Sequence, residues 1–337
     1  MDMISFGSVY LELVFGHLRE LPGPGEEVLT DDFAMSCGGA VTSAGAAARA
    51  GVHAGLCTVL GDDLGSRVVI EYCGRAGVDL SPSMRVPGKS AGISAVLNFH
   101  GDRAFVTHVP ARPAGEPPPV SRWRDVLHRD RPRWCYLHAG RGVADFLSDA
   151  RELGAKVVLD ISLGDEQYRD TIIECVRLAD VFVPNEHELL RLTGAGTVGR
   201  AVAAAAAWGT PLVVKRGAAG ALVAGPGGIT EVAEGVRQVQ VRDLTGAGDA
   251  FAGAMIAAML QGAALTEAVV AANAAGSEAA GRLGAVGEVE VAAMALDGQA
   301  QDLADQAQAL AGQAQDPMFP GRAAAPAAEK AAMDRDQ

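Results

Sequence analysis

Between residues 155 and 217 short runs rich in β-branched residues alternate with longer runs of helical spacing, and this alternation limits the fold more than any other feature. The stretches "AKVVLDIS" (155–162), "ADVFVPN" (179–185) and "TPLVVKRG" (210–217) are too short and too apolar to be solvent-facing helices and read as buried strands. Between them "DEQYRDTIIECVRLA", "EHELLRLTG" and "VGRAVAAAAAWG" have helical periodicity. Strands that alternate with helices imply a mostly parallel central sheet covered on both faces, a three-layer α/β/α arrangement. The first hundred residues break the pattern. "SFGSVYLELV", "EEVLTDDFAMS", "SAGISAVLNFH" and "RAFVTHVP" are strand-like without a helix between each pair, which predicts a small antiparallel sheet acting as a lid, with strands within 8–36 and 91–110. "GGAVTSAGAAARAG" (38–51) interrupts them with a Gly-Gly turn that enters an Ala-rich helix. "ARPAGEPPPVSRW" reads as a Pro-rich surface connector around 113–119, and residues 297–337 as a low-complexity, disordered Ala/Gln/Asp/Pro tail.

Composition narrows the partners. The chain has 337 residues, about half of them apolar, so one large α/β domain with a sizeable core is available. A formal charge of -13 without Lys/Arg runs excludes a nucleic-acid or acidic-membrane surface, because either needs concentrated positive charge. Cys37, Cys57, Cys73, Cys135 and Cys175 are odd in number, widely spaced and free of any C-x-x-C pair, as expected for reduced buried thiols in the cytosol. The apolar start carries Asp2 and Glu12 and no basic leader, and no run of eighteen apolar residues suggests a membrane span. A cytoplasmic protein with a small-molecule ligand is the expectation.

The stretch "RDLTGAGDAFAGAMIAAMLQG" (242–262) carries the chemistry. A helix is predicted from near Gly248 to about Gln261, with Gly262 placed to end it. Its amino end, Gly246-Ala247-Gly248-Asp249, offers unpaired backbone N–H groups, the positive end of the helix dipole and no bulky side chain, the requirements of an anion site. Asp249 has two readings. A first-turn carboxylate is ordinarily a dipole partner worth ~0.3–1 kcal/mol; beside a bound phosphate it would be repelled unless it accepts a proton from an attacking hydroxyl. Neither a G-x-x-x-x-G-K-[ST] loop nor a Rossmann glycine fingerprint is present. The seven histidines show no i, i+4 pair or H-E-x-x-H, and there is no G-x-S-x-G elbow.

"GGAVTSAGAAARAG", "PNEHELLRLTG" (184–194), "VVKRGAAGAL" (213–222) and "DLTGAGDAFAGA" occur in the order and rough spacing of the ribokinase-like, or PfkB, carbohydrate kinases, and the resemblance covers about residues 4–290. It implies a ribokinase-like kinase domain over 1–296. By resemblance, Asp249 is the catalytic base and the amides of Gly246, Ala247 and Gly248 form the anion hole for the transferred phosphoryl group. Asn185 and Glu188 match the family's N-x-x-E, which organises Mg²⁺ through water; read as residues alone they are a helix N-cap and its capping-box partner. Gly217 and Gly220 resemble the turn beneath the nucleotide, and Asn273 sits where the family places a residue near the base. Lys215 is a phosphate contact or a solvated strand-end lysine. Asp243 and Thr245 fall where some members bind a monovalent cation such as K⁺.

The acceptor side departs from the pattern. Tyr10 and Glu12 replace a sugar-binding Asn-x-Asp pair, Ser43 replaces an Asn four positions after Gly38-Gly39, and Ser162 replaces a further Asn. Phe99, His100, Arg103 and Phe105 lie around the turn of the expected lid hairpin, placed to close over substrate or to meet a second subunit. The resemblance implies an ATP- and Mg²⁺-dependent kinase of a primary hydroxyl on a sugar or sugar-like alcohol, commonly a homodimer through the lid. Two alternatives stay open: a purine nucleoside kinase, with Tyr10 stacking on the base, and a catalytically silent member that senses a sugar or nucleotide.

Overall fold

The structure, a computed structural model, describes residues 1–88, 90–99, 101–110, 119–162, 168–225 and 227–290. The chain divides into a compact unit, Met1–Glu290, and the segment Val291–Gln337; the latter, with the expected tail at 297–337, lies outside the described residues.

The main sheet contains β1 (Met3–Phe6), β4 (Ala54–Cys57), β9 (Trp134–His138), β10 (Lys156–Asp160), β11 (Val181–Phe182), β12 (Leu212–Lys215), β13 (Ala221–Gly225) and β14 (Gly228–Val232), in the order β14-β13-β12-β11-β10-β9-β1-β4. From β12 to β4 all pairs are parallel; β13 and β14 add an antiparallel edge. Helices cover both faces, and this explains why the strands read as unbroken apolar runs. Ile4, Cys135, Leu137, Val157 and Leu159 pack on one side, under α3 (Pro119–Asp130), α4 (Val143–Glu152), α5 (Arg169–Leu178), α6 (Glu186–Thr193) and α7 (Val198–Ala206). Met3, Tyr136, Val158 and Val213 face the other side, under α1 (Ala40–Arg49), α8 (Ala247–Leu260) and α9 (Leu265–Ala280). The two-residue period of a strand sends alternate side chains to each core. α8 is apolar all round because it lies between α1, α9 and the sheet.

The lid is β2 (Val9–Leu18), β3 (Phe33–Gly39), β7 (Gly92–Phe99) and β8 (Asp102–His108), in the order β3-β2-β7-β8. It differs from the expected antiparallel sheet in one respect: β2 and β7 are parallel. The chain leaves β3 through α1, β4, β5 (Val59–Leu60), α2 (Leu64–Ala76) and β6 (Met84–Arg85) before β7 begins, and so long a crossover permits parallel pairing. The stretch 5–14 also divides, since Met3–Phe6 belongs to the main sheet and the lid begins only at Val9. At the other predicted loop Pro119 opens α3, where a missing N–H costs nothing; residues 111–118 and His100 lie outside the described residues. The five cysteines are free and buried.

Candidate active site

A cleft of about 1750 Å³ runs between the lid and the carboxyl ends of β9, β10 and β12, the edge of an open α/β sheet where ligands bind. The amino end of α8 forms its floor. Gly246 caps that helix at φ 72°, and a Cβ there would come 2.5 Å from the Cβ of Ala285, so glycine is required twice over. No side chain caps the helix. The first-turn amides at Gly246, Ala247 and Gly248 therefore border the cleft without a capping side chain.

Asp249 is the first acid of α8 and lines the cleft. Its Oδ1 lies 2.8 Å from the Tyr136 hydroxyl and 3.5 Å from His138 Nε2. The Tyr136 hydroxyl is also 3.0 Å from Asp160 Oδ2, and the same carboxylate oxygen accepts a 2.6 Å hydrogen bond from Lys215 Nζ. The sheet register produces this row. Val158 pairs with Tyr136 and Asp160 with His138, so these polar residues share the face of Val158 and Val213 and point at α8. Burial pushes the Asp249 carboxyl up, but the hydrogen bond and charge of His138, the Tyr136 hydroxyl and Lys215 outweigh it and leave its pKa below the ordinary value. Burial opposes the Lys215 charge, yet Asp160 and Glu188 hold its pKa above normal. It is no solvated strand-end lysine: its side chain is 14% exposed and lines the cleft.

Asn185 and Glu188 stand beside it. Asn185 Oδ1 accepts from the Glu188 N–H at 2.8 Å, and Glu188 Oε2 accepts from the Asn185 N–H at 2.7 Å, a complete capping box on α6. Glu188 is buried, which pushes its pKa to about 7 despite the countering Lys215 charge. Among the described residues no group of three or more His, Cys, Asp or Glu side chains could hold a metal ion. The donor set suits a Mg²⁺ that keeps its waters and arrives on phosphate oxygens, with Glu188 as an outer carboxylate. Gly217 opens a single 3-10 turn, and at Gly220 (φ 80°) a Cβ would lie 2.3 Å from the Val232 carbonyl. The Asn273 amide donates to the carbonyls of Val232 and Glu234, 2.9 Å each, so it fixes that wall of the cleft. Asp243 is a loop tie: Oδ1 accepts from the Thr245 N–H and hydroxyl, Oδ2 from the Gly284 N–H.

On the acceptor side the lid contributes Tyr10, Glu12, Ser94, Arg103, Phe105 and Thr107 to the cleft. Glu12 is buried with Oε2 accepting from the Ala285 N–H at 3.2 Å. Burial raises its pKa to about 7; the Ala285 hydrogen bond and Arg103 oppose that rise, while Asp243 and Asp249 add to it. Two expected acceptor residues lie elsewhere. Ser43 is fully buried and bonds Ser5 Oγ at 2.8 Å and the Ala40 carbonyl at 3.1 Å, because α1 packs so closely on α8 that its backbone meets Gly253. Gly38 stands behind Glu12, where a Cβ would fall on its carboxylate; Gly39 does line the cleft. Sequence reasoning missed Tyr136, His138 and Asp160. The only available signal was a polar residue at alternate positions in otherwise apolar strands ending at a sheet edge.

The family model described as pfkB family carbohydrate kinase matches residues 2–292. This chain belongs to that family. It is therefore a phosphotransferase acting on a sugar or sugar-like substrate, with the ribokinase-like fold implied by its motifs. It is 29% identical over 277 residues to a cytidine kinase of Thermococcus kodakarensis, covering 80% of this chain and 92% of that one. An E. coli protein assigned as ribokinase II has the same fold: its apo form gives a TM-score of 0.71 at 23% identity, and its complex with ATP and Mg²⁺ gives 0.68 at 22%. Each covers 86% of this chain and 96% of the other. Aminoimidazole riboside kinase from Salmonella enterica, complexed with aminoimidazole riboside and an ATP analogue, has a TM-score of 0.67 at 22% identity, covering 86% and 97%.

Proposed function

We propose that the protein transfers the γ-phosphoryl group of ATP to a primary hydroxyl of a sugar or sugar-like alcohol, with Asp249 as base. The observation that carries this reading is a carboxylate in the first turn of α8, beside amides with no side-chain cap and inside the cleft under the lid, whose neighbours His138, Tyr136 and Lys215 favour its ionised form. The acceptor oxygen bonds to the γ-phosphorus, the bond from that phosphorus to the β–γ bridging oxygen breaks to release ADP, and the hydroxyl proton passes to Asp249. The amides of Gly246, Ala247 and Gly248 stabilise charge on the phosphoryl oxygens, an effect worth about 3 kcal/mol per donor in such sites. Lys215, Gly217, Gly220, Asn185, Glu188 and Asn273 frame the ATP side. Bound with ATP, Mg²⁺ would supply charge neutralisation for phosphoryl transfer, and Glu188 would face its hydration shell. Closure of the lid excludes water and limits wasteful hydrolysis. K⁺ would sit beside the loop ordered by Asp243 and Thr245, and the K⁺ dependence of turnover checks this.

A nucleoside acceptor is the second reading, favoured by the sequence likeness to a cytidine kinase and by Tyr10, Phe105 and Trp123 in the cleft wall. ADP release across a panel of sugars, pyrimidine nucleosides and purine nucleosides separates the two. Asp249→Asn abolishes release on the true acceptor; undiminished turnover in that variant would refute the base, and binding without turnover on every panel member would make the protein a sensor.

The protein is proposed to work in the cytoplasm as a homodimer. No helix among the described residues is long and apolar enough to cross a membrane. The lid exposes Phe33, Ile93 and Val106 on the face turned away from the cleft, apolar side chains that a second copy would cover. Light scattering on the purified protein checks this, with a monomer at micromolar concentration overturning it.

A further inference from the structure

We propose that Tyr136 and His138 are positioning residues that clamp one oxygen of the Asp249 carboxylate, Oδ1, and so present the other, Oδ2, to the acceptor hydroxyl. The proposal rests on Asp249 being the base.

Two helix starts in the same cleft make the case by contrast. Glu188 and Asp249 are both acids three residues after the residue that caps their helix, Asn185 in one and Gly246 in the other. Glu188 folds back onto the N–H of its own cap at 2.7 Å, as an acid at that position tends to. Asp249 does not. Its Oδ1 is held by the Tyr136 hydroxyl at 2.8 Å with His138 Nε2 at 3.5 Å, and among the described residues Oδ2 carries no hydrogen bond. Both partners come from β9, two residues apart on one face, so the strand fixes the spacing of the clamp. His138 Nδ1 lies 2.7 Å from Ser162 Oγ, and its Nε2 lies 3.2 Å from the Tyr136 hydroxyl oxygen. The single Tyr136 proton has two carboxylate acceptors, Asp249 Oδ1 at 2.8 Å and Asp160 Oδ2 at 3.0 Å; the contact to Asp249 is the shorter, and Lys215 Nζ at 2.6 Å supplies Asp160 Oδ2 with a donor of its own.

The clamp has two consequences. It keeps the carboxylate off the amides of Gly246 and Gly248, which find no acceptor among the described residues, and off that of Ala247, which makes only a long 3.3 Å contact to the Leu244 carbonyl. It also sets the basicity of Asp249 together with the other charged groups facing it: Lys215 from β12, Asp160 from β10 and Glu12 from the lid. Without it the carboxylate is free to turn back onto its own helix, as Glu188 does, and to compete with the substrate for the anion hole.

The test is single-turnover phosphoryl transfer against pH, on the acceptor identified by the panel, for wild type, Tyr136→Phe, His138→Gln and Asp249→Asn. Loss of a hydrogen bond to a charged group predicts a roughly 10- to 100-fold fall in the transfer rate for Tyr136→Phe and a smaller one for His138→Gln. In both variants the acid limb of the profile moves to higher pH, by about one unit, since each removes a group that favours the ionised carboxylate. The same shift in a Glu12→Gln background assigns the limb to Asp249. Rates and acid limbs unchanged in both clamp variants, with Asp249→Asn inactive, would overturn the clamp and leave the base standing. An active Asp249→Asn overturns the base itself. Should Tyr136→Phe fail to fold, fluorinated tyrosines at 136 keep the shape while strengthening the donor; the acid limb then moves to lower pH with each fluorine, and a limb that stays put overturns the proposal.

Discussion

Lys215 Nζ lies 2.6 Å from Asp160 Oδ2, an ion pair between β12 and β10 that reaches across the intervening β11 beneath the amino end of α8. Both side chains are largely shielded from solvent, so the pair is one electrostatic unit, and removing either partner alone leaves a buried charge uncompensated.

Lys215→Met is therefore expected to destabilise the fold by about 3–5 kcal/mol. Asp160→Asn does the same from the other side, and the double variant recovers part of the loss because neither member of the pair is left alone, although Glu188 and Asp249 still lose the Lys215 charge. Thermal unfolding of the four proteins measures the coupling. Additive losses in the double variant would refute a single buried pair.

Glu12 makes stability pH-dependent. Its folded pKa of about 7 lies above the ordinary 4.5, so the folded state holds a proton that the unfolded chain has released. The sign follows: its contribution to stability is complete below about pH 4.5 and is lost as pH rises through about 7. Glu12→Gln, which keeps an acceptor for the Ala285 N–H, removes that loss. Relative to wild type the variant should gain up to roughly 3 kcal/mol between pH 5 and pH 8. Denaturant unfolding at the two pH values measures it, and a constant difference would show that Glu12 titrates normally.

The N-x-x-E pair on α6 separates a structural from a functional role. Asn185→Ala removes the side-chain cap and is expected to cost about 1 kcal/mol of stability. Glu188→Gln retains an acceptor for the Asn185 N–H and costs less, but it removes the charge proposed to face the Mg²⁺ shell. Its effect should fall on the Mg²⁺ dependence of turnover, raising the concentration for half-activation by roughly 10-fold, as second-shell changes do. Unchanged Mg²⁺ dependence would reduce Glu188 to a cap.

What the sequence disclosed follows from the range of each interaction. The helix start at 246–249 and the box at Asn185 and Glu188 are written in consecutive residues, so backbone rules alone locate them. The layered sheet was legible for the same reason: strands buried on both faces leave unmistakable apolar runs. The parallel pairing of β2 with β7 was not, because it depends on where the chain re-enters the lid after residues 19–91 rather than on either strand's own pattern. Tyr136, His138, Asp160 and Lys215 come from three strands and meet only through sheet register; as residues in a sequence they are an aromatic inside a strand and a histidine, an acid and a lysine at strand ends. Ser43 was misplaced because its position after the Gly-Gly turn says nothing of which way α1 rotates, and packing against Gly253 turns it into the core.

Gly38 gives the acceptor side its own test. A Cβ at this position would lie 1.9 Å from Glu12 Oε1, and nothing else is as near. Its backbone is an ordinary strand paired with Tyr10, so Gly38→Ala introduces no backbone strain and acts through the carboxylate alone. The carboxylate is wedged between β3 and the Ala285 N–H, and it can escape the new methyl only by swinging into the cleft. The variant should therefore raise KM for the acceptor by roughly 10-fold, about 1.4 kcal/mol of lost binding, while KM for ATP stays the same. Alanine at this position with both constants unchanged would mean that Glu12 does not touch the acceptor. A rise in KM for ATP alone would place the carboxylate's influence on the nucleotide side, through its proximity to Asp249, instead of on recognition of the hydroxyl being phosphorylated.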